Sequence, residues 1–401
     1  MKHPTGRLGT YRAQIPIRLT DETKAASNYI LTNVDAHSGY QAQQKCIAAK
    51  RYADSAKAGM YIALGISGAA TPVGFGGIIA DLIEHGLVDL IISTGANVYH
   101  DLHFACGLPV RHGTHNADDD KLASEEITRI YTHFIHNRLT LKMQDMINQR
   151  FAEQIRDRLT QPYSSATLLN EFGKEMYEDK TGIVVDKKGS FIVRAAEFGV
   201  PVFMDSSDNH SLGMDLALFA TEDGQRFDPS PSQDVLEAAA YALWMQPQFN
   251  VFFGEGGPRN KIQTTGPTAS EIFYIPGFEG AEGLIRFTTA QGEWGALSGS
   301  TAAEAKSWGK YPDANPERET AVWSEYTLTV PTAMGYVAHN ARRDPRRLMD
   351  KRQDVLDKFL EAVKDARPTR IEEQEKLWQL LPSVQKAEIQ ARKAAGYKFD
   401  D

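Results

Sequence analysis

The chain has 401 residues, 42% of them apolar and 24% charged, the balance of an ordinary soluble globular protein with enough length for two domains or one large α/β domain. Its net charge of −8 argues against nucleic acid as a partner, and its two cysteines, Cys46 and Cys106, exclude a disulfide framework and suit a reducing cytoplasm. No run of 18 apolar residues exists and the polar, basic first 20 residues lack the apolar core of a signal peptide, so neither a membrane span nor secretion is expected.

In chain order, residues 1–20 read as an arm and 21–58, with alanines and scattered charges, as helix. MYIALGISG (60–68) is a short apolar strand running into the loop AATPVGFGG. IIADLIEHG (78–86) is helical and LVDLIISTG (87–95) is a second strand, which makes a βαβ unit with parallel strands. Residues 118–180 read as charged helices. FGVPVFMD (198–205), PQFNVFFGEGG (247–257) and GLIRFTTAQ (283–291) are further strands, and TAVWSEYTL (320–328) is a sixth. Residues 350–397 read as helix.

These elements predict an α/β fold: a Rossmann-like parallel sheet flanked by helices. An N-terminal arm and helix would occupy 1–40, the α/β domain 41–345 and a C-terminal helical extension 346–401. Each strand ends in a loop rich in Gly, Ser, Thr, Asn or Asp. In an open parallel sheet such ends gather on one edge, where ligands bind, so a nucleotide-type pocket is expected there.

Several loops have both a chemical and a structural interpretation. GISGAATPVGFGG (65–77) could admit a pyrophosphate to backbone N–H groups, although it lacks the GxGxxG spacing. YHDLH (99–103) and RHGTHNADDD (111–120) are rich in metal-ligand types but match no closed zinc spacing, and read as exposed loop histidines beside a solvated acidic run. Asp205, Asp208 and Asp215 of MDSSDNHSLGMD could receive an ammonium or ribose hydroxyls, or cap the following helix. In GALSGSTAAEAKSWGK (295–310), Thr301 and Glu304 fit a capping box and Gly309 a helix stop, which leaves Lys310 beside an indole. A free lysine has a pKa of about 10.4. To attack carbon it must be desolvated or placed near another cation, and Trp308 can exclude water or stack on a cationic substrate.

The run SGSTAAEAKSWGK resembles the active-site segment of the deoxyhypusine synthase family, whose Ser-Trp-Gly-Lys ending carries the catalytic lysine. LGISGAAT, STGANVYHDLH, VPVF followed by SLG, GGPRNK and TTAQ fall in matching order over roughly residues 40–340, and look more like the bacterial deoxyhypusine-synthase-like branch. Plant homospermidine synthases belong to the same family. The resemblance implies NAD as cofactor, polyamine substrates and a lysine that captures an aminobutyl group as an imine. Lys310 would be the carrier, Trp308 the wall of a polyamine channel, and Asn260 would stand at the family's catalytic histidine. Glu304, Ser298, His100 and Asp215 would contact substrate. Gly68, Ala69, Thr94, Gly95, Ala96, Asn209, Thr289, Ala290 and Glu325 would contact NAD.

The departures from the eukaryotic pattern concern carboxylates. An adjacent glutamate pair is Tyr99–His100, an aspartate is Asn209, the aspartate after SLG is Met214 with Asp215 next to it, and a lysine–histidine pair is Arg259–Asn260. The expected activity is therefore aminobutyl transfer between small amines, forming homospermidine from putrescine. Deoxyhypusine synthesis on a protein lysine, a metal-dependent agmatinase-like hydrolase and a catalytically dead polyamine or NAD sensor are the alternatives. No metal is expected. By resemblance, the chain would be a cytoplasmic homotetramer with sites at a dimer interface.

Overall fold

The computed structural model describes residues 6–398 apart from 161, 207, 224–228, 293, 294, 296 and 314. In chain order the strands are β1 (Tyr61–Ile66), β2 (Leu90–Ser93), β3 (Val110–His112), β4 (Ile127–Ile130), β5 (His133–His136), β6 (Val202–Met204), β7 (Gln248–Phe253), β8 (Gly283–Thr288) and β9 (Glu319–Trp323). Six of them form one parallel sheet in the order β6-β2-β1-β7-β8-β9. Counted along the chain within that sheet, this is the doubly wound order 3-2-1-4-5-6. The order reverses between β1 and β7, the topological switch point at whose carboxyl ends sheets of this kind bind ligands.

Side chains alternate between the two faces, as the pleat requires. Ile62, Leu64 and Ile66 of β1, Phe249, Val251 and Phe253 of β7, and Ile285 and Phe287 of β8 enter one core layer. Ala63, Phe252 and Leu284 enter the other. Every residue of β7 and β8 is buried, because helices cover both faces, and these strands accordingly show no apolar–polar alternation; Gln248, Asn250, Arg286 and Thr288 are buried with their apolar neighbours.

The first ten helices are α1 (Asp21–Asn33), α2 (Tyr40–Lys57), α3 (Phe75–Glu84), α4 (Gly95–Ala105), α5 (Asp119–Ser124), α6 (Met143–Ile155), α7 (Ser165–Glu178), α8 (Phe191–Phe198), α9 (Ser211–Asp223) and α10 (Pro231–Trp244). They are followed by α11 (Gly257–Pro267), α12 (Ala302–Lys306), α13 (Tyr326–Asn340) and α14 (Arg352–Ala394). The first core layer is closed by residues of α1, α2, α3, α8 and α13, the second by α10, α11, α12 and the start of α14.

Four expectations are corrected. The helix expected over 21–58 is two helices, broken at Val34–Gly39 around Asp35, a buried carboxylate 2.8 Å from Lys45 Nζ. The charged stretch 118–180 is not all helix: β4 and β5 form a hairpin that pairs with β3 in a small antiparallel sheet. In that hairpin Ile127, Phe134 and Ile135 are buried, and Phe134 and Ile135 are adjacent, so the strands do not alternate apolar with polar in the way that marks a half-buried strand. The arm is anchored, because Leu8 is buried against Leu122, Ile127 and Phe134; Met1–Thr5 lie outside the described residues. The sixth strand stops at Trp323, and Tyr326 already opens α13. Among the described residues no helix is long and apolar enough to cross a membrane.

Candidate active site

After β8 the chain enters the glycine-rich loop of which Glu293, Trp294 and Ala296 lie outside the described residues, and then α12. Thr301 caps α12, its hydroxyl accepting the N–H of Glu304 at 3.1 Å, as the T-x-x-E pattern predicts. The helix lasts five residues, to Lys306, and the turn after it reverses at Gly309, whose φ of 67° is left-handed. A Cβ at Gly309 would also stand 2.8 Å from Glu271 Oε1, so this turn needs glycine. The turn sends the next residue inward. Lys310 donates its N–H to the carbonyl of Ala305, and Tyr311 is buried behind it with its hydroxyl accepting from Gln263 Nε2 at 2.9 Å.

Lys310 is 7% exposed and lies in a cavity of about 340 Å³ that it shares with Trp308, Glu304, Ser300, Asn260 and Thr264. Its Nζ is 5.9 Å from the centre of the Trp308 ring. Burial pushes the Lys310 ammonium below its ordinary pKa, the buried Arg259 guanidinium pushes it further down, and Glu304 pulls the other way. A lysine so placed can serve as a nucleophile. Asn260 and Thr264, one turn apart on α11, also line a second cavity of about 830 Å³ that extends past Asp205, Asp208 and Lys261.

A buried ionic chain holds the lysine segment against the sheet. Glu255, at the end of β7, receives Arg259 at 2.7 Å and Arg286 of β8 at 3.2 Å. Arg286 Nε lies 2.5 Å from Glu319 Oε1, and the other oxygen of Glu319 accepts the first N–H of α12, from Ala302, at 2.7 Å. Arg259 also donates to the carbonyls of Ser298 (2.8 Å) and Ser300 (2.6 Å). Two arginines thus fix by their forks the strand of chain that leads into Lys310.

At the carboxyl edge, the segments after β1, β2 and β9 are laced together. Thr94 donates to the carbonyl of Gly68 at 2.7 Å, Asn97 accepts the N–H groups of Ala70 and Thr71, and Tyr326 donates to the carbonyl of Ser67 at 3.1 Å. Gly95 opens α4, and a Cβ there would stand 1.9 Å from the His210 ring. No side chain caps that helix, so the N–H groups at Gly95 and Ala96 are not claimed by a cap. Ala69 lies in the first of these loops, and Thr289 and Ala290 follow β8. Asn209 is exposed in the loop before α9, and Glu325 is exposed after β9, where it caps α13 by accepting the N–H of Thr327.

A family model for deoxyhypusine synthase matches residues 30–337. The chain belongs to the deoxyhypusine synthase family. It is 32% identical over 307 residues to a "Deoxyhypusine synthase-like protein" of Nostoc punctiforme, covering 75% of this chain and 77% of the relative. A protein of the same description from Nostoc sp. PCC 7120 is 33% identical over 313 residues, covering 76% and 80%. A "Probable deoxyhypusine synthase 2" of Methanosarcina acetivorans is 31% identical over 285 residues, covering 71% and 78%. Helix α14 lies outside the matched residues.

Within this family member the expected substrate residues do not all meet. Lys310, Trp308, Glu304 and Asn260 share one cavity. Ser298 does not line it; its carbonyl accepts from Arg259 and Arg286. His100 and Asp215 do not line that cavity. YHDLH is not an exposed loop but the middle of α4, with His103 and Asp101 fully buried. Burial depresses His100 to about 4 and His103 to about 3, so both are neutral at pH 7. Asp101 accepts the Ser190 hydroxyl and the N–H groups of Phe191 and Ile192, which caps α8. Asp215 is buried and accepts from Asn148 Nδ2 at 2.7 Å, near Asp145, which in turn accepts the Tyr99 hydroxyl. Among the described residues no group of three or more His, Cys, Asp or Glu side chains is placed to hold a metal ion, so the hydrolase alternative has no ligand set there.

Sequence reasoning overlooked Glu255, Arg286 and Glu319, and took Arg259 only as a departure. The i, i+4 spacing of Glu255 and Arg259 across the β7–α11 turn was a usable signal. An arginine inside the apolar run GLIRFT, where only a paired charge is tolerated, was another.

Proposed function

We propose that the chain catalyses NAD-dependent transfer of an aminobutyl group between small amines, with Lys310 as covalent carrier and homospermidine formed from putrescine. The observation that carries this reading is the desolvated Lys310 amine beside Trp308, in a cavity of about 340 Å³ suited to a short diamine. Family membership supports the same reaction class.

The residues at the carboxyl edge fit a dinucleotide. Gly68, Ala69, Thr94, Gly95 and Ala96 follow β1 and β2 beside the point where the strand order reverses, and the α4 amino end offers N–H groups to a phosphate. Thr289, Ala290, Asn209 and Glu325 follow other strands on the same edge. NAD, when bound, supplies the hydride acceptor and donor that a redox-neutral transfer between amines requires.

The chain's own residues do the remainder. Neutral Lys310 Nζ attacks the imine carbon of the donor, the carbon–nitrogen bond to lysine forms, and the bond from that carbon to the donor's own nitrogen breaks, which releases ammonia from putrescine. A second amine attacks the lysine imine and releases Lys310. Among the described residues Glu304 is the carboxylate that lines the cavity with Lys310, and it serves to hold a substrate ammonium. Asn260 has no proton to exchange at neutral pH, so its role is to orient the amine. Trp308 walls the cavity. It is 64% exposed, which suits completion of the site by a second copy in the homotetramer that we infer.

Incubation with NAD and putrescine, spermidine or both, with products read by mass spectrometry, tests this reading. Homospermidine is the expected product. The name of the Methanosarcina acetivorans relative favours a second reading, deoxyhypusine formation on a protein lysine. It would show as transfer from spermidine only when a lysine-bearing protein acceptor is added.

A further inference from the structure

Among the described residues, helix α14 is anchored at its beginning alone. Val355, Leu356 and Phe359 are buried in the second core layer, and Ala362, Val363 and Ala366 pack against it. From residue 374 to residue 398 every residue is exposed. The helical part of that stretch, to Ala394, projects about 30 Å at 1.5 Å per residue. It carries an apolar face. Leu377, Leu381 and Val384 follow at i, i+4 and i+7, flanked by Trp378 and Leu380, with exposures of 59%, 37%, 61%, 71% and 56%. Isolated helices are marginal in water, and Pro382 removes a hydrogen bond from the middle of this one. Such a helix needs cover.

We propose that the cover is the same helix of a second copy, packed antiparallel about a two-fold axis near Leu381. Charge sets the direction. Glu372, Glu373 and Glu375, with Lys376 beside them, give the stretch just before the apolar face a net charge of −2, and Lys386, Arg392 and Lys393, with Glu388 among them, give the stretch after it +2. An antiparallel pair brings each copy's acidic end to its partner's basic end, whereas a parallel pair stacks like on like. Covering both faces would remove on the order of 1,000 Å² from water, the lower bound for a stable interface. The mixed charge, with three glutamates at the edge of the face, disfavours an anionic membrane as occupant. The pairing lies outside the residues the family model matches, and is independent of the reaction proposed for Lys310.

The test uses the full chain. Sedimentation velocity should give the Leu377→Glu/Leu381→Glu double variant half the mass of the unaltered protein, with Lys310 chemistry retained. Mild oxidation of single-cysteine variants then reads the direction, with the unaltered chain as background for Cys46 and Cys106. Leu381→Cys should couple to itself. Leu377→Cys should not, yet should couple to Val384→Cys when the two variants are mixed. Equal masses with no coupling would overturn the proposal, as would self-coupling of Leu377→Cys, the parallel signature. Co-sedimentation with phosphatidylserine vesicles that depends on Trp378 would assign the face to a membrane instead.

Discussion

Lys310 Nζ lies 5.9 Å from the centre of the Trp308 ring, and the lysine is 7% exposed while the tryptophan is 64% exposed. The indole therefore shields the amine from one side and presents its other side outward. Lys310→Ala should abolish transfer without unfolding the protein. Lys310→Arg should fail equally, because a guanidinium keeps its proton. Borohydride reduction in the presence of NAD and putrescine should add an aminobutyl-sized mass to the peptide containing Lys310 in the unaltered protein alone. Full turnover by Lys310→Ala would end the covalent mechanism.

Two neighbours set the lysine's protonation in opposite directions. Arg259 lowers its pKa and Glu304 raises it. Attack requires the neutral amine, so the rate climbs as pH rises through the lysine pKa. Arg259→Met should move that climb to higher pH, and Glu304→Gln to lower pH. The pH dependence of single-turnover imine trapping measures both. Shifts of the same sign would mean that the two residues act on geometry and not on the charge of Lys310.

The sheet was legible because buried parallel strands have a strong signature: all six were read from apolar runs ending in small-residue loops. The lysine turn was legible for a local reason, since the Thr301 cap and Gly309 stop are written in adjacent residues. What escaped was set by distant packing. The histidines of YHDLH look like loop ligands in sequence, and only the helix packed over them makes them buried and neutral. The partners of Arg286, Glu255 and Glu319, lie 31 and 33 positions away in sequence, and β-sheet neighbours, not chain neighbours, bring them together.

Glu255 separates two buried guanidinium groups. Glu255→Gln should leave Arg259 and Arg286 facing one another without the intervening carboxylate. Breaking a buried pair by neutralising one partner costs about 3–5 kcal/mol. Denaturant unfolding of the variant should show a loss of that size, together with weaker imine trapping, because the same arginines hold the carbonyls of Ser298 and Ser300. A loss below about 1 kcal/mol would place the network in contact with water, where ion pairs contribute little.

If the hydride removed from the donor is returned to the product, NAD is needed only in catalytic amount. Turnover of putrescine should proceed to many equivalents per NAD with no steady rise in absorbance at the NADH band. Stoichiometric NADH would indicate an amine dehydrogenase. Thr94→Asp, which replaces the hydroxyl that donates to the carbonyl of Gly68 by a carboxylate at the α4 amino end, should weaken NAD binding measured by calorimetry.

Asp215 gives the fold its own pH dependence. Burial pushes its carboxyl up to about 7, with Asp145 adding to the rise and Asn148 opposing it. An unfolded aspartate titrates near pH 4, so between about pH 4 and 7 the native state holds a proton that the unfolded chain has released. Stability from this group is present at low pH and is lost as pH rises through the folded value. Asp215→Asn removes the titration while keeping an oxygen to accept from Asn148 and an N–H to offer Asp145. Its melting temperature should differ little from the unaltered protein at pH 5 and exceed it at pH 8. Asp101, also pushed up to about 7 by burial, remains in the variant, so some decline with pH persists. Equal destabilisation of Asp215→Asn at both pH values would mean that the native protein needs the ionised carboxylate, and the side chain would then be an ammonium ligand and not a buried acid.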